Sequence, residues 1–406
     1  MDNDMDIYTR DQAGRLCFSK DLFQHCMQEA LCDDSLKVIS ARLDDSTYKT
    51  AIAEEKYDNK KLLGLYKYDV HYVTQGKEQK ATILVKSKIS YAEYLKILSG
   101  ILIDAGIALP AETLSQLLDK TSIFNNMLKE IKIYQLALKN PKLANFLPKV
   151  YGTYVDKTED KYLVLEAYLE NVYLMHDYQD LSFWDSTKII DALKDLAKFH
   201  AVYYAKTTGL NDDGWLGETM NTALMLKLKP LWLSMADNLT GLIPPAEMEQ
   251  HYQLIESLPV WWPKIEQQTK TLIYNDIQIR NIAMEKQGDA WHLCLYDWEV
   301  ATIHLPQRDL VEFLSYLITP EVSDSDLRDY FEISRVTLEK LSQQKIEPKT
   351  WLTGCLYALY DYQIDRLALQ LNFHKVLQRV DIERVWKSSR RILAFLKNEV
   401  DADIAG

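Results

Sequence analysis

The chain is poor in the residues that punctuate or staple a fold: 406 residues carry only 13 glycines, 11 prolines and five cysteines. So few chain breakers leave no room for linker-rich or low-complexity architecture, and most of the chain is expected to be ordered. Cys17, Cys26, Cys32, Cys294 and Cys355 are odd in number, widely scattered and form no CxxC pair. That pattern excludes a disulfide framework and a thiolate zinc site as organising features. Long apolar runs are lacking too. Stretches such as 101–107 are too short to span a bilayer, and the first residues are acidic where a secretory leader is basic and then apolar. A cytoplasmic address without a membrane partner is the expectation. Positive charge is in deficit, with 47 Lys and Arg against 59 Asp and Glu, a net charge of −12 and a pI near 5.3. Such a balance argues against a nucleic-acid partner. It leaves open a phosphate site, which needs only a few local cations and backbone N–H groups. Nothing in the sequence demands an oligomer beyond a monomer or homodimer.

Apolar material, at 47% of residues, is ample for more than one core. Leu22, Cys26, Ala30 and Leu31 recur at helical spacing, so residues 1–35 read as a helical extension. Runs at 38–41, 48–53, 63–73 and 81–85 read as strands, with turns at 56–60 and 75–79. Helical patterning follows over 91–138, interrupted at Leu109-Pro110. Two more strands, 150–155 and 162–166, flank a hairpin turn at 156–160. From 177 onward the pattern is helical, apart from short apolar segments near 271–274 and 291–297. The expected architecture is α+β, with a small β-rich lobe over 36–168 and a larger, mainly helical lobe over 169–406.

The densest polar information lies in two stretches. Tyr274-Asn-Asp-Ile-Gln-Ile-Arg-Asn281 sets Asp276 and Asn281 on a loop between apolar segments, and Tyr296-Asp-Trp-Glu299 closes a strand-like run with Asp297 and Glu299. Taken singly, each residue could be a turn or cap residue. Together they supply services that phosphoryl transfer from ATP requires. Asp276 suits the group that orients an acceptor hydroxyl and takes its proton. Asn281 and Asp297 suit oxygen ligation of Mg²⁺, with Glu299 as a further candidate, and the carboxamide of Asn281 adds an oxygen without another full charge.

These stretches resemble the aminoglycoside phosphotransferase and choline kinase-like superfamily. Its catalytic loop runs His, any residue, Asp, four residues, Asn; its metal-binding Asp falls on Asp297. The match holds at Asp276, Asn281 and Asp297 and departs at the histidine, which is Tyr274 here. Leu305-Pro-Gln-Arg-Asp-Leu-Val-Glu312 is similar to a run in bacterial small-molecule kinase-like members. The resemblance implies a protein-kinase-like two-lobe fold, ATP and Mg²⁺ as cofactors, and a small-molecule acceptor with a hydroxyl group. It implies a phosphate-pairing lysine at Lys86, with Lys88 as rival, and a helix partner at Glu130. The segment from Leu163 to Tyr168 is similar to the linker whose backbone meets adenine, with Glu166 and Tyr168 as nucleotide-site candidates, and the phosphate-covering hairpin tip falls at 56–61. His200 reads as a packed structural histidine, and Asp309 and Glu312 as loop anchors, pocket borders or helix N-terminal charges. The acceptor pocket is expected from the 205–265 insertion and the final helices; there Trp215, Trp232, Trp261 and Trp262 read either as pocket lining or as ordinary core residues, and Asp212-Asp213 either as partners of a cationic substrate or as turn caps. In place of the family histidine, Tyr274 has a polar tip that can brace the loop another way. The expected activity is that of a small-molecule kinase. The competing reading is a catalytically inactive nucleotide-binding pseudokinase or interaction module.

Overall fold

A computed structural model describes residues 6–12, 14–44, 62–175, 180–377 and 382–401. The strand expected over 48–53 and the hairpin tip over 56–61 lie outside the described residues. The chain divides into two compact units: residues up to Tyr94 with Met127–Asn171, and Leu95–Asn126 with the chain from Val172 onward. The class is α+β, with a small antiparallel-sheet unit and a larger, mainly helical one.

In the first unit five antiparallel strands run in the order Lys37–Leu43, Gly64–Thr74, Lys77–Lys88, Lys161–Ala167, Val150–Asp156. Side-chain alternation puts Tyr68, Val70 and Tyr72 on one buried face with Ile83 and Val85. The two longest strands form one hairpin, paired from Gly64↔Ser87 to Thr74↔Lys77. Its turn residues Gln75 and Gly76 both have positive φ, at 51° and 72°. That geometry matches the right-handed twist of the flanking strands.

The helix expected in the first residues spans Lys20–Leu31 and starts where Ser19 Oγ accepts from the amide of Leu22. Its apolar face, Leu22, Phe23, Cys26 and Met27, shares the core of the sheet. Gly152 permits that contact, since a Cβ there would lie 2.6 Å from the backbone oxygen of Cys26.

The second unit is built from helices with two small sheets. Val172–Leu174, Ile282–Gln287 and Ala290–Leu295 form one sheet; Thr271–Ile273 and Thr302–His304 pair in the other. The helix Gln307–Leu317 is buried along its whole length, polar residues included. Among the described residues no helix is long and apolar enough to cross a membrane.

Candidate functional site

In the first unit the polar residues that matter sit on the sheet and on the helix Asn126–Lys139. Lys86, two residues before the end of its strand, is buried at 2.9 Å from Glu130 Oε1 and 3.1 Å from Glu166 Oε1. Lys88, two residues on along the same strand, reaches the other oxygen of Glu130. Tyr134, one helical turn beyond Glu130, donates its hydroxyl to Glu166 Oε2. Two buried acids thus share two ammonium groups. Burial works against the ionised form of Glu130, but Lys86 and Lys88 outweigh it and hold the carboxyl down to about 2. Glu166 is pushed up, by burial first, and the charge of Glu130 adds to this while Lys86 opposes it. Sequence reasoning ranked Lys86 above Lys88, whereas here both touch Glu130. Lys86 is distinguished by its second carboxylate.

Glu166 and Tyr168, expected in a linker whose backbone meets adenine, have more local duties. The Glu166 carboxylate is committed to Lys86 and Tyr134. The amide of Ala167 donates to Lys149 O at 2.8 Å and that of Tyr168 to Thr82 O at 3.0 Å. These two N–H groups are therefore engaged in the sheet.

In the second unit the strand Thr271–Ile273 delivers Tyr274 to a loop whose backbone is held by one carboxylate. Asp309 accepts from the amide of Tyr274 at 2.8 Å through Oδ2 and from that of Asn275 at 2.7 Å through Oδ1. His200 Nε2 lies 2.9 Å from Asp309 Oδ2, and the His200 carbonyl accepts from Thr271 Oγ1 at 2.8 Å. All five residues are buried. His200 is a structural partner of the loop anchor, and Asp309 caps loop amides in addition to sitting in a helix first turn. Asn275 takes φ 63°, a region that asparagine tolerates, and donates its side chain to Val300 O at 3.1 Å.

Tyr274 replaces the family histidine with a different brace. Its ring is fully buried and meets Trp298 edge-on at 4.7 Å between centroids. Its hydroxyl lies 3.2 Å from the carbonyl of Asn281 and also bonds the carbonyl of Tyr296. One side chain thus ties the end of this loop to the residue before Asp297.

The loop closes with a single turn of 3-10 helix, Ile279–Asn281, and leads into the hairpin Ile282–Gln287 and Ala290–Leu295. That hairpin pairs Ile282 with Leu295, and the amide of Tyr296 donates to Asn281 O at 3.2 Å. The ladder therefore sets Asp297 one residue beyond the partner of Asn281, although 15 positions intervene in the sequence. Asp297 adopts φ 73°, a sparsely populated region for a non-glycine residue and one that recurs at functional sites. Glu299, two residues on, is half-buried and accepts from Asn126 Nδ2 at 3.3 Å.

Asp276 is engaged through both of its carboxylate oxygens. Its Oδ1 accepts from Gln278 Nε2 at 3.1 Å and is paired with Arg366 Nη2. Its Oδ2 accepts from Asn281 Nδ2 at 3.0 Å. With the Asn281 amide nitrogen committed to Asp276, the carboxamide oxygen is the atom of that side chain suited to a cation. Behind the loop lies a buried ionic cluster. Arg308 donates to Asp361 at 2.9 Å and to Glu312 at 2.8 Å. Burial raises both acids, Glu312 and Asp361 each to about 7, against the opposing charge of Arg308. Glu312 therefore pairs within this cluster, next to the anchor Asp309.

The tryptophans and acids expected at an acceptor pocket are mostly core or turn residues. Trp215 and Trp261 are buried and donate to the carbonyls of Leu210 and Leu254. Trp262 packs against Trp261 and His304. Asp212 and Asp213 sit in a turn, largely exposed. Trp232 lines a cavity together with Arg366. Arg366, Gln278 and the Arg308 cluster escaped the sequence reading. Gln278 was visible within the loop itself, whereas Arg366 lies 90 positions from Asp276 and carries no local signal.

No curated protein matches the chain. Solved structures that resemble it include a choline kinase from Cryptosporidium parvum Iowa II, 11% identical, with 91% of each chain covered and a TM-score of 0.46. The choline kinase LicA from Streptococcus pneumoniae is 14% identical over 91% of this chain and 96% of that one, at a TM-score of 0.44. The GDP complex of aminoglycoside 2'-phosphotransferase-IIIa is 11% identical over 94% and 99%, at 0.43. Likenesses this distant do not bear on the chemistry. A family model does match more than half of the sequence, residues 116–345, and covers Glu130, Asp276, Asn281, Asp297 and Asp309. The chain belongs to the ecdysteroid kinase-like family, within the kinase-like small-molecule superfamily that its loop motifs resemble.

Proposed function

We propose that this protein is an ATP-dependent, Mg²⁺-assisted phosphotransferase that moves the γ-phosphoryl group to a hydroxyl of a small molecule. The observation that carries the reading is the state of Asp276: a carboxylate fixed by Asn281, Gln278 and Arg366 on a loop braced by Asp309 and Tyr274. Phosphoryl transfer demands little covalent chemistry of the protein, so positioned charge is what the site has to provide. Asp276 orients the acceptor hydroxyl and receives its proton. The Asn281 carboxamide oxygen with the Asp297 and Glu299 carboxylates is an all-oxygen donor set of the kind a hard divalent cation takes. Bound there, Mg²⁺ would neutralise charge developing on the transferred phosphoryl group. Lys86, held in place by Glu130 and Glu166, offers the ammonium that meets nucleotide phosphates. The acidic chain as a whole is no obstacle, because that cation is local.

The test is an ADP-release and thermal-shift screen with Mg²⁺-ATP against aminoglycosides, choline, ethanolamine and a panel of sugars and apolar alcohols. Mg²⁺-ATP is expected to raise the melting temperature, and at least one acceptor to stimulate ADP release. Asp276→Asn should abolish release while keeping the Mg²⁺-ATP shift. Absence of both responses across the panel would refute the reading.

A further inference from the structure

Arg366 stands on the five-residue π-helical turn Gln363–Leu367, which interrupts the helical run between Pro348–Tyr362 and Ala368–Leu377. Single π turns inside α-helices are uncommon and concentrate at functional sites. This one directs a guanidinium into the unit, where its Nη2 pairs with Asp276 Oδ1. The side chain is 7% exposed. Packing alone accounts poorly for such a residue. A buried ion pair contributes little net stability, and apolar replacements of the same volume are often neutral. Nor are all its donors matched: among the described residues the Nε–H of Arg366 has no hydrogen-bond partner. It lines a small cavity with Leu231, Trp232 and Met235, where Trp232 Nε1 likewise has none. The guanidinium is therefore placed to suit Asp276 and not to complete its own hydrogen bonding.

The arrangement distinguishes the two oxygens of Asp276. A carboxylate offers about two acceptor positions on each oxygen. Oδ1 carries Arg366 and Gln278, so both of its positions are filled. Oδ2 carries only Asn281 Nδ2, at 3.0 Å, and retains one.

We propose that Arg366 is a positioning residue that, with Gln278, saturates Oδ1 of Asp276 and so makes Oδ2 the atom that receives the acceptor proton. This rests on the phosphotransferase reading. In the step, the acceptor O–H proton moves to Oδ2 as the acceptor oxygen bonds to the γ-phosphorus. The electron pair of the breaking phosphorus–oxygen bond leaves on ADP. Losing Arg366 frees Oδ1 and lets the carboxylate rotate, so the base is present but no longer aimed.

The experiment uses the full chain as wild type, Arg366→Lys, Arg366→Gln, Asp276→Asn and the double variant Arg366→Gln/Asp276→Asn. ADP release is followed with the most active panel alcohol, or with water as acceptor where no alcohol is active. Arg366→Gln is expected to lower kcat by about 100-fold, the scale of a misaimed general base, with KM for Mg²⁺-ATP within about twofold. Arg366→Lys, which keeps the charge but not the planar fork, should recover about tenfold of that loss. A kcat for Arg366→Gln near wild type, or equal rates for the Lys and Gln variants, would overturn the proposal. If the wild type releases no ADP with any acceptor, the phosphotransferase reading fails. Melting temperatures then decide the pairing. Asp276→Asn should lower the melting temperature by several degrees in the wild-type background, where it strands the guanidinium, and much less in Arg366→Gln. Additive shifts would refute it.

Discussion

Asp309→Asn is a change of one atom that the structure predicts to be severe. Asp309 is fully buried and accepts three hydrogen bonds: Asn275 N–H at Oδ1, and Tyr274 N–H with His200 Nε2 at Oδ2. Asparagine keeps one acceptor oxygen and turns the other into a donor. Whichever way the amide sits, its NH₂ faces at least one backbone N–H. The milder orientation keeps the oxygen toward Tyr274 and His200 and strands Asn275 N–H, a buried unmatched donor costing about 1–3 kcal/mol. Losing the charge weakens the remaining bonds by roughly another 1 kcal/mol in total. The expected destabilisation is thus about 2–4 kcal/mol, large for a substitution that removes no volume. Urea unfolding followed by tryptophan fluorescence measures it, with Trp298, edge-on to the Tyr274 ring, among the nine reporters. Turnover should fall by about 10- to 100-fold at substrate saturation, because the loop that aims Asp276 has lost an anchor. A destabilisation below about 0.5 kcal/mol, within the range of ordinary surface substitutions, would refute the view that Asp309 organises the loop.

Three further outcomes follow from neighbouring contacts. Tyr274→Phe removes the hydroxyl that bonds the carbonyls of Asn281 and Tyr296 and should lower stability by about 1–2 kcal/mol and reduce kcat more than KM; unchanged unfolding and turnover would remove Tyr274 as a brace. Lys86→Met should abolish the Mg²⁺-ATP thermal shift and Lys88→Met only weaken it, since Lys86 bridges Glu130 and Glu166; the opposite ranking would make Lys88 the phosphate partner. Glu312 and Asp361, raised by burial to about 7, hold protons in the folded protein that the unfolded chain has released above its ordinary carboxyl range. Their contribution is therefore full at low pH and is lost as pH rises from about 4.5 to about 7, so unfolding free energy should decline across that window. Glu130, held low, contributes oppositely but only as pH falls below about 4.5. Glu312→Gln should flatten the decline between pH 5 and 7, and an unchanged slope in chemical unfolding would count against the assignment.

Much of the fold was legible because it depends on local periodicity. The alternation of Tyr68, Val70 and Tyr72, the turn at Gln75-Gly76 and the helical spacing of Leu22 and Cys26 are short-range patterns set by side-chain direction. They appear where the sequence placed them. The contact between Asp276 and Asn281 was legible for a similar reason, since the two are five positions apart on one short loop. Partnerships across the chain were not. Nothing in the spacing of His200, Asp309 and Tyr274 says that they converge, and the 35 positions between Tyr274 and Asp309 give no period to follow. The tryptophans marked the limit of composition as a guide. All four weighed between pocket and core are buried.

Sequence alone determined the α+β class, the main strands of the first unit and most of the helices, and the presence of carboxylates and an amide at Asp276, Asn281, Asp297 and Glu299. Each of these follows from interactions within a few residues, or from residue types whose chemistry is fixed wherever they stand. Tertiary structure decided how the residues act. It gave Tyr274 its carbonyl partners, made Asp309 the anchor of the loop, brought Lys88 as well as Lys86 to Glu130, and set Arg366 against one oxygen of Asp276. Such pairings depend on packing between elements distant in the chain, where burial and directed hydrogen bonds, not local propensity, select the partner.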